Sequence, residues 1–191
     1  VTRSPARARR AAPGVMAGPV CRLLLFDVRV VDGERLDGIA PCVWVANHQS
    51  IACHQVLANI YRRFEECVVV GKLVGKWDLP LVASLFRATG NITVEPGNVA
   101  RNARAFRDAR TALARGAAIA VYPEGTRRKD TRYLGPFEDG AFVMAVDNVP
   151  LMNTRPVWAV LVRAMVTLMV APSMSWAALT CRSAIVAVLL E

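Results

Sequence analysis

The sequence predicts an α/β fold, an α/β/α sandwich around a mixed but mostly parallel sheet. Two short apolar runs, Cys42–Ala46 and Ala117–Val121, open directly into polar turns, Asn47-His48-Gln49-Ser50 and Tyr122-Pro123-Glu124-Gly125. Continuous apolar runs of this length fit strands that are covered on both faces. Strand-like and helix-like segments then alternate along the chain, the pattern of βα units laid into one sheet. The 191 residues, of which 54% are hydrophobic, suffice for one domain with a sizeable core.

Taken in order, residues 1–19 are rich in Arg, Ala, Pro and Gly and are expected to be a basic disordered tail. A single domain is expected over residues 20–191. Arg22–Val31 reads as a strand, closed by Asp32-Gly33. Gly38–Pro41 is a second turn, and the central strand Cys42–Ala46 follows it. Ser50 is a suitable N-cap for the helix-like run Gln55–Phe64. Cys67–Val70 is another apolar strand, ending at Gly71-Lys72. Asp78 can cap a helix over Leu79–Arg87 that carries Pro80 in its first turn. Thr89-Gly90-Asn91 breaks that helix before a strand at Ile92–Val94.

The clearest helix is Val99–Arg115, with Asn98 as N-cap and Gly116 as the stop. Val99, Ala103, Phe106 and Leu113 are expected on its inner side. Arg101, Arg104, Arg107 and Arg110 form a second stripe, read as a solvated basic face. Asp139–Val146 is a short helix and Pro156–Val162 an apolar strand. Ala164–Cys181 carries no charge, but Pro172, Ser173, Ser175 and Thr180 interrupt it, so it reads as strand and loop rather than a membrane span.

The net charge is +9, and Arg3, Arg7, Arg9, Arg10 and Arg22 fall in a stretch with no acid. Such a segment suits an anionic membrane surface. No aromatic interleaving or nucleic-acid motif accompanies it, so nucleic acid is not an expected partner. The five cysteines, Cys21, Cys42, Cys53, Cys67 and Cys181, are odd in number and form no Cys-x-x-Cys pair. That pattern indicates neither a zinc site nor a disulfide framework, and it suits a reducing compartment.

His48 follows a buried strand, and ligands of α/β proteins bind beyond strand ends. It is the one histidine in a setting for a general base; His54 has no motif around it. Gly125-Thr126-Arg127 follows the second strand and offers backbone N–H groups and a guanidinium to an anion. Arg127 can bind two oxygens at once, whereas Arg128 and Lys129 add only field.

These two turns, in this order, resemble the glycerophospholipid acyltransferase family, which includes the 1-acylglycerol-3-phosphate acyltransferases. Two weaker blocks run from Gly71-Lys72 to Gly90-Asn91-Ile92-Thr93-Val94 and from Gly140-Ala141 to Val149-Pro150. The resemblance implies a glycerol-3-phosphate acyltransferase-like αβα fold. It also implies acyl transfer from acyl-CoA or acyl-carrier protein to a lysophospholipid hydroxyl, at the cytoplasmic face of a membrane. It makes His48 the base and Lys72, Glu124, Gly125, Thr126 and Arg127 the substrate-binding set. No metal and no cofactor beyond the acyl donor are implied.

The chain departs from the family pattern at three places. The family carries an aspartate five positions after the histidine, and here that position is Cys53. An orienting aspartate holds an imidazole in one tautomer and stabilises the imidazolium, and its loss from a serine-protease triad slows the reaction by about 10⁴. Cys53 can serve weakly as a thiolate at a helix N-terminus or simply be a small buried residue. Glu95-Pro96 stands where the family has a phosphate-binding arginine, and Met152-Asn153-Thr154 replaces a second proline. Reduced activity is therefore expected. The alternatives are an inactive relative that binds phospholipid or acyl-CoA, and an enzyme with Cys53 as nucleophile and His48 or His54 as base. Glu124 has two readings, contact with acceptor hydroxyls or anchorage of its own turn.

Overall fold

The computed structural model describes residues 11, 13–14, 16–23, 25–31, 33–39, 41–48, 53–72, 84, 86–127, 135–147, 162–168 and 181–189. Among these residues, seven strands form one sheet: β1 (Phe26–Val31), β2 (Cys42–Ala46), β3 (Cys67–Lys72), β4 (Ile92–Val94), β5 (Ala118–Val121), β6 (Val162–Leu168) and β7 (Cys181–Leu189). Their order across the sheet is β1-β6-β7-β2-β5-β3-β4. β2, β5, β3 and β4 run parallel. β1, β6 and β7 add an antiparallel half that joins through β7 to β2. The parallel half is the one built from the two polar-turn strands, as an α/β fold requires.

Strand alternation sends neighbouring residues to opposite faces. Cys42, Trp44 and Ala46 of β2, Cys67 and Val69 of β3, and Ala118 and Ala120 of β5 share one core. Val43, Val68, Val70 and Ile119 point into the other. Helix α1 (Cys53–Tyr61) covers the first face through Leu57, Ala58, Ile60 and Tyr61. Helices α2 (Val99–Ala114) and α3 (Gly140–Val146) cover the second. Both faces are therefore clothed in helix, which completes the sandwich.

The ends of α2 are as expected. The Asn98 side chain accepts from the Arg101 backbone N–H at 3.0 Å, and Gly116 takes φ +89°, a left-handed conformation that ends the helix. The inner face is different. Ala105, Ala109, Ala112 and Leu113 are buried, with Phe106 packed beside them. Val99 is 82% exposed, and Ala103 also faces solvent. A stripe of alanines lets the helix backbone lie close over the sheet, so small residues and not the largest ones mark the contact. The arginine stripe is solvated as expected, with Arg101 on Glu95 at 3.2 Å and Arg104 on Asp108 at 3.7 Å.

The tail boundary needs correction. Met16–Val20 forms a helical turn, Ala17 enters the core beneath α1, and the Cys21 thiol donates to the Gln55 carbonyl at 3.4 Å. Ordered packing thus reaches back into the segment expected to be a disordered tail. β1 begins at Phe26, after a turn in which Leu25 takes φ 56°. Ser50, the start of the Asp78 helix and the strand expected over 156–161 lie outside the described residues; residues 86–88 are helical, as that helix's end requires.

Candidate active site

β2 and β5 are adjacent and parallel, with Cys42 opposite Ala118 and Val45 opposite Val121. Their following turns therefore leave the sheet at one edge, side by side. His48 and the turn from Tyr122 to Arg127 meet there. The link is direct: the His48 backbone N–H donates to Glu124 Oε1 at 2.9 Å. Glu124 Oε2 accepts from the Gly135 N–H at 3.1 Å, and the side chain is only 7% exposed. Of its two possible roles, Glu124 takes the anchoring one, tying three chain segments together at the mouth of the sheet. Gly125 turns the chain with φ +60°, closed by its own N–H on the Tyr122 carbonyl at 3.1 Å. A side chain at that φ is strained, so glycine belongs there. Thr126 and Arg127 emerge exposed beyond it.

The His48 imidazole lies in an aromatic setting. The Tyr122 ring stacks on it, with centroids 4.2 Å apart and planes 23° from parallel. His54 approaches edge-on at 5.7 Å. The Tyr122 hydroxyl sits 3.3 Å from His54 Nδ1 and 3.1 Å from the Tyr61 hydroxyl. Burial pushes the Tyr61 and Tyr122 phenols well above their usual range, so both stay protonated. Burial is also the first reason the His48 pKa falls to about 4, and the nearby positive charges of His54 and Arg127 push the same way. The His54 pKa is lowered by burial and by Arg127. Both rings are therefore neutral at physiological pH, and Arg127 is close enough to act on each.

Among the described residues, His48 Nδ1 is buried and has no hydrogen-bond partner. Cys53 begins α1 and is buried, 6% exposed, within the core cluster under that helix. It behaves as a small core residue, and its burial leaves little access for a substrate carbonyl. Cys21, Cys42, Cys53 and Cys67 form no disulfide. Burial raises the Cys42 thiol to about 12 and the Cys67 thiol further, so neither is a nucleophile.

Lys72 ends β3, two strand positions from β2 and exposed, about 10 Å across the sheet at ordinary strand spacing. It shares the edge without touching the histidine cluster. Beyond β4, Glu95 is engaged by Arg101 and by the Asn98 amide at 3.1 Å, so that corner is locally neutralised. Sequence reasoning ranked His54 below His48 and gave Tyr122 no role of its own. A signal was present: a histidine in the first turn after the Asn-His turn, and a tyrosine as the first motif residue of the neighbouring strand. Among the described residues, no group of His, Cys, Asp and Glu side chains could hold a metal ion.

A family profile described as Acyltransferase matches residues 27–163. A chloroplastic 1-acyl-sn-glycerol-3-phosphate acyltransferase, BAT2 of Brassica napus, is 30% identical over 105 residues, covering 55% of this chain and 29% of that protein. A 1-acyl-sn-glycerol-3-phosphate acyltransferase from Chlamydomonas reinhardtii is 30% identical over 131 residues, covering 66% of this chain and 38% of its own length. Chloroplastic LPAT1 of Arabidopsis thaliana is 30% identical over 105 residues, 55% of this chain and 28% of that protein. The chain thus spans between 28% and 38% of these relatives' lengths. No solved structure matches.

Proposed function

This chain belongs to the acyltransferase family, and from that premise we propose that it moves a fatty acyl group from a thioester to a lysophospholipid hydroxyl. The donor is acyl-CoA or acyl-carrier protein, and the acceptor is of the 1-acylglycerol-3-phosphate kind that the relatives' names carry. The observation that supports this most is a neutral imidazole, His48, at the strand edge beside the Arg127 charge.

In this reading His48 Nε2 takes the proton of the acceptor hydroxyl as its oxygen attacks the thioester carbonyl. The tetrahedral intermediate collapses with loss of the thiolate, which takes the proton back from the imidazolium. An ester and a free thiol result. Arg127, with the backbone N–H groups that follow the Gly125 turn, binds the acceptor phosphate. Glu124 acts at a remove by fixing the His48 backbone to that turn. Lys72 adds positive charge at the rim.

The site would work at an anionic membrane surface. Supporting this are Arg3, Arg7, Arg9 and Arg10 near the start of the sequence, and the exposed Leu23 and Leu25 close behind them. Basic residues beside exposed apolar ones suit a lipid interface. Among the described residues no helix is long and apolar enough to cross a membrane.

Thiol release from acyl-CoA with lysophosphatidate as acceptor tests the proposal. Turnover without a trapped acyl-enzyme, abolished by His48→Ala, is the expected result. An undiminished rate in His48→Ala would remove the histidine from the mechanism. A second reading is favoured by the unpartnered His48 Nδ1: a binding protein that holds phospholipid or acyl-CoA without turning it over. Acceptor binding with no thiol release identifies that case.

A further inference from the structure

A base that must become an imidazolium at the transition state needs two things: a fixed ring and a partner for the developing charge. Carboxylates usually supply both. Among the described residues His48 Nδ1 meets no hydrogen-bond acceptor. The ring nevertheless has a close partner on its face. Tyr122 lies 4.2 Å away at 23°, within the distance over which an aromatic face attracts a cation.

Tyr122 is itself held in place. Its hydroxyl meets Tyr61 on α1 at 3.1 Å and His54 on the same helix at 3.3 Å. The side chain is 9% exposed, and the Trp44 ring stands 5.2 Å from Tyr61 behind it. Glu124, two residues along, fixes the His48 backbone. One turn thus grips the histidine twice, by the main chain and by the ring face.

We propose that Tyr122 is the positioning residue for His48, setting the imidazole plane by stacking and stabilising the imidazolium through its ring face where no carboxylate reaches Nδ1. The proposal rests on the reading of His48 as the general base. It assigns the Tyr122 hydroxyl to holding the ring, through Tyr61 and His54, and not to proton transfer. The titratable groups around the pair include His54, neutral at physiological pH, Arg127, which opposes a second positive charge, and Glu124, whose carboxylate is held on the His48 main chain. The aromatic face is the favourable contact made by the ring itself.

The test compares Tyr122→Phe, Tyr122→Leu and His48→Ala, with Tyr122→Leu also made in a Cys53→Asp background. Tyr122→Phe keeps the face and should hold kcat within about threefold, while Tyr122→Leu should lower it by about 2- to 30-fold, the span of a cation–π contact. The acceptor KM should stay unchanged in both. Cys53→Asp should raise kcat by a larger factor in the Tyr122→Leu protein than in the protein with its native tyrosine, since each device supplies what the other lacks. His48 ring protons should resonate upfield in the native protein and in Tyr122→Phe, a readout that stands even if Tyr122→Leu does not fold. The proposal is overturned by unshifted ring protons, by native kcat in Tyr122→Leu, or by Tyr122→Phe falling as far as Tyr122→Leu. Native activity in His48→Ala overturns the acyl-transfer mechanism itself, and with it the role given to Tyr122.

Discussion

Replacing Cys53 by aspartate puts a carboxylate at the start of α1, five positions after His48, where the resemblance to the family implies an aspartate. His48 has a pKa of about 4, so forming its imidazolium is unfavourable by burial first and then by His54 and Arg127. An opposite charge about 4 Å away supplies about 4 kcal/mol at the effective dielectric of a partly buried pair. Against this stands the desolvation of a carboxylate in a site that is 6% exposed, several kcal/mol when unpaired. Pairing with Nδ1 and a place in the first turn of a helix, worth about 0.3–1 kcal/mol, offset part of that cost. The expected gain in rate is about 10²–10⁴, the range of acid–base and orienting contributions, while the uncompensated part of the desolvation cost falls on folding stability. Thiol release measured against pH gives a second readout with a definite sign. The native rate should fall only as pH drops through about 4, where His48 takes up a proton. In Cys53→Asp the carboxylate favours the imidazolium, so the acid limb should move to higher pH. A faster enzyme with an unmoved limb, or a moved limb without a faster rate, would refute this account of the dyad.

Arg127→Ala should weaken acceptor binding by about 1.5–3 kcal/mol, the worth of a hydrogen bond to a charged group, as measured by acceptor titration. It should also raise the His48 pKa, because one of the charges that depress it is gone. Both histidine pKa values lie below the usual 6.5, so each ring binds fewer protons folded than unfolded. Their stability contribution is complete above pH 6.5 and is lost as pH falls through the folded values, which urea titrations at pH 7 and pH 5 should register. Asn98→Ala should lower the unfolding free energy by about 1 kcal/mol through loss of the α2 cap, and Asn98→Gly by less. Deletion of residues 1–10 should weaken binding to anionic vesicles and flatten its salt dependence, each arginine there contributing about 1 kcal/mol; the longer deletion to residue 19 should also destabilise the fold, because Ala17 is in the core.

How far the sequence could be read depended on what each residue answers to. β2 and β5 were legible because strands buried on both faces leave unbroken apolar runs, and the turns after them were legible because polar groups cluster at strand ends. The cap and stop of α2 were legible as local backbone chemistry. Its inner face was not, because Ala105, Ala109 and Ala112 owe their burial to the sheet beneath and not to their own hydrophobicity. Val99 is apolar by type and exposed by position. Glu124 illustrates the same limit at the site, since only the arrival of His48 and Gly135 decides that its carboxylate is occupied by main chain. His54 was passed over because neither its distance in sequence from His48 nor its neighbours reveal that Tyr122, in the turn after β5, bridges the two rings.

The strand that delivers His48 is paired on one side by β5 and on the other by β7, where Ala46 meets Val186 and Val43 meets Leu189. β7 is the last strand of the sheet in the sequence. During synthesis β2 therefore emerges early and stays half-paired until residues 181–189 leave the ribosome. Contacts so distant along the chain form slowly, because most of the chain's entropy must be lost before they contribute. In the meantime an apolar strand with an open edge is a template for other chains. Pulsed hydrogen exchange should find the β2 amides that face β7 among the last to gain protection. The edge of the sheet that carries His48 is thus expected to be completed late in folding.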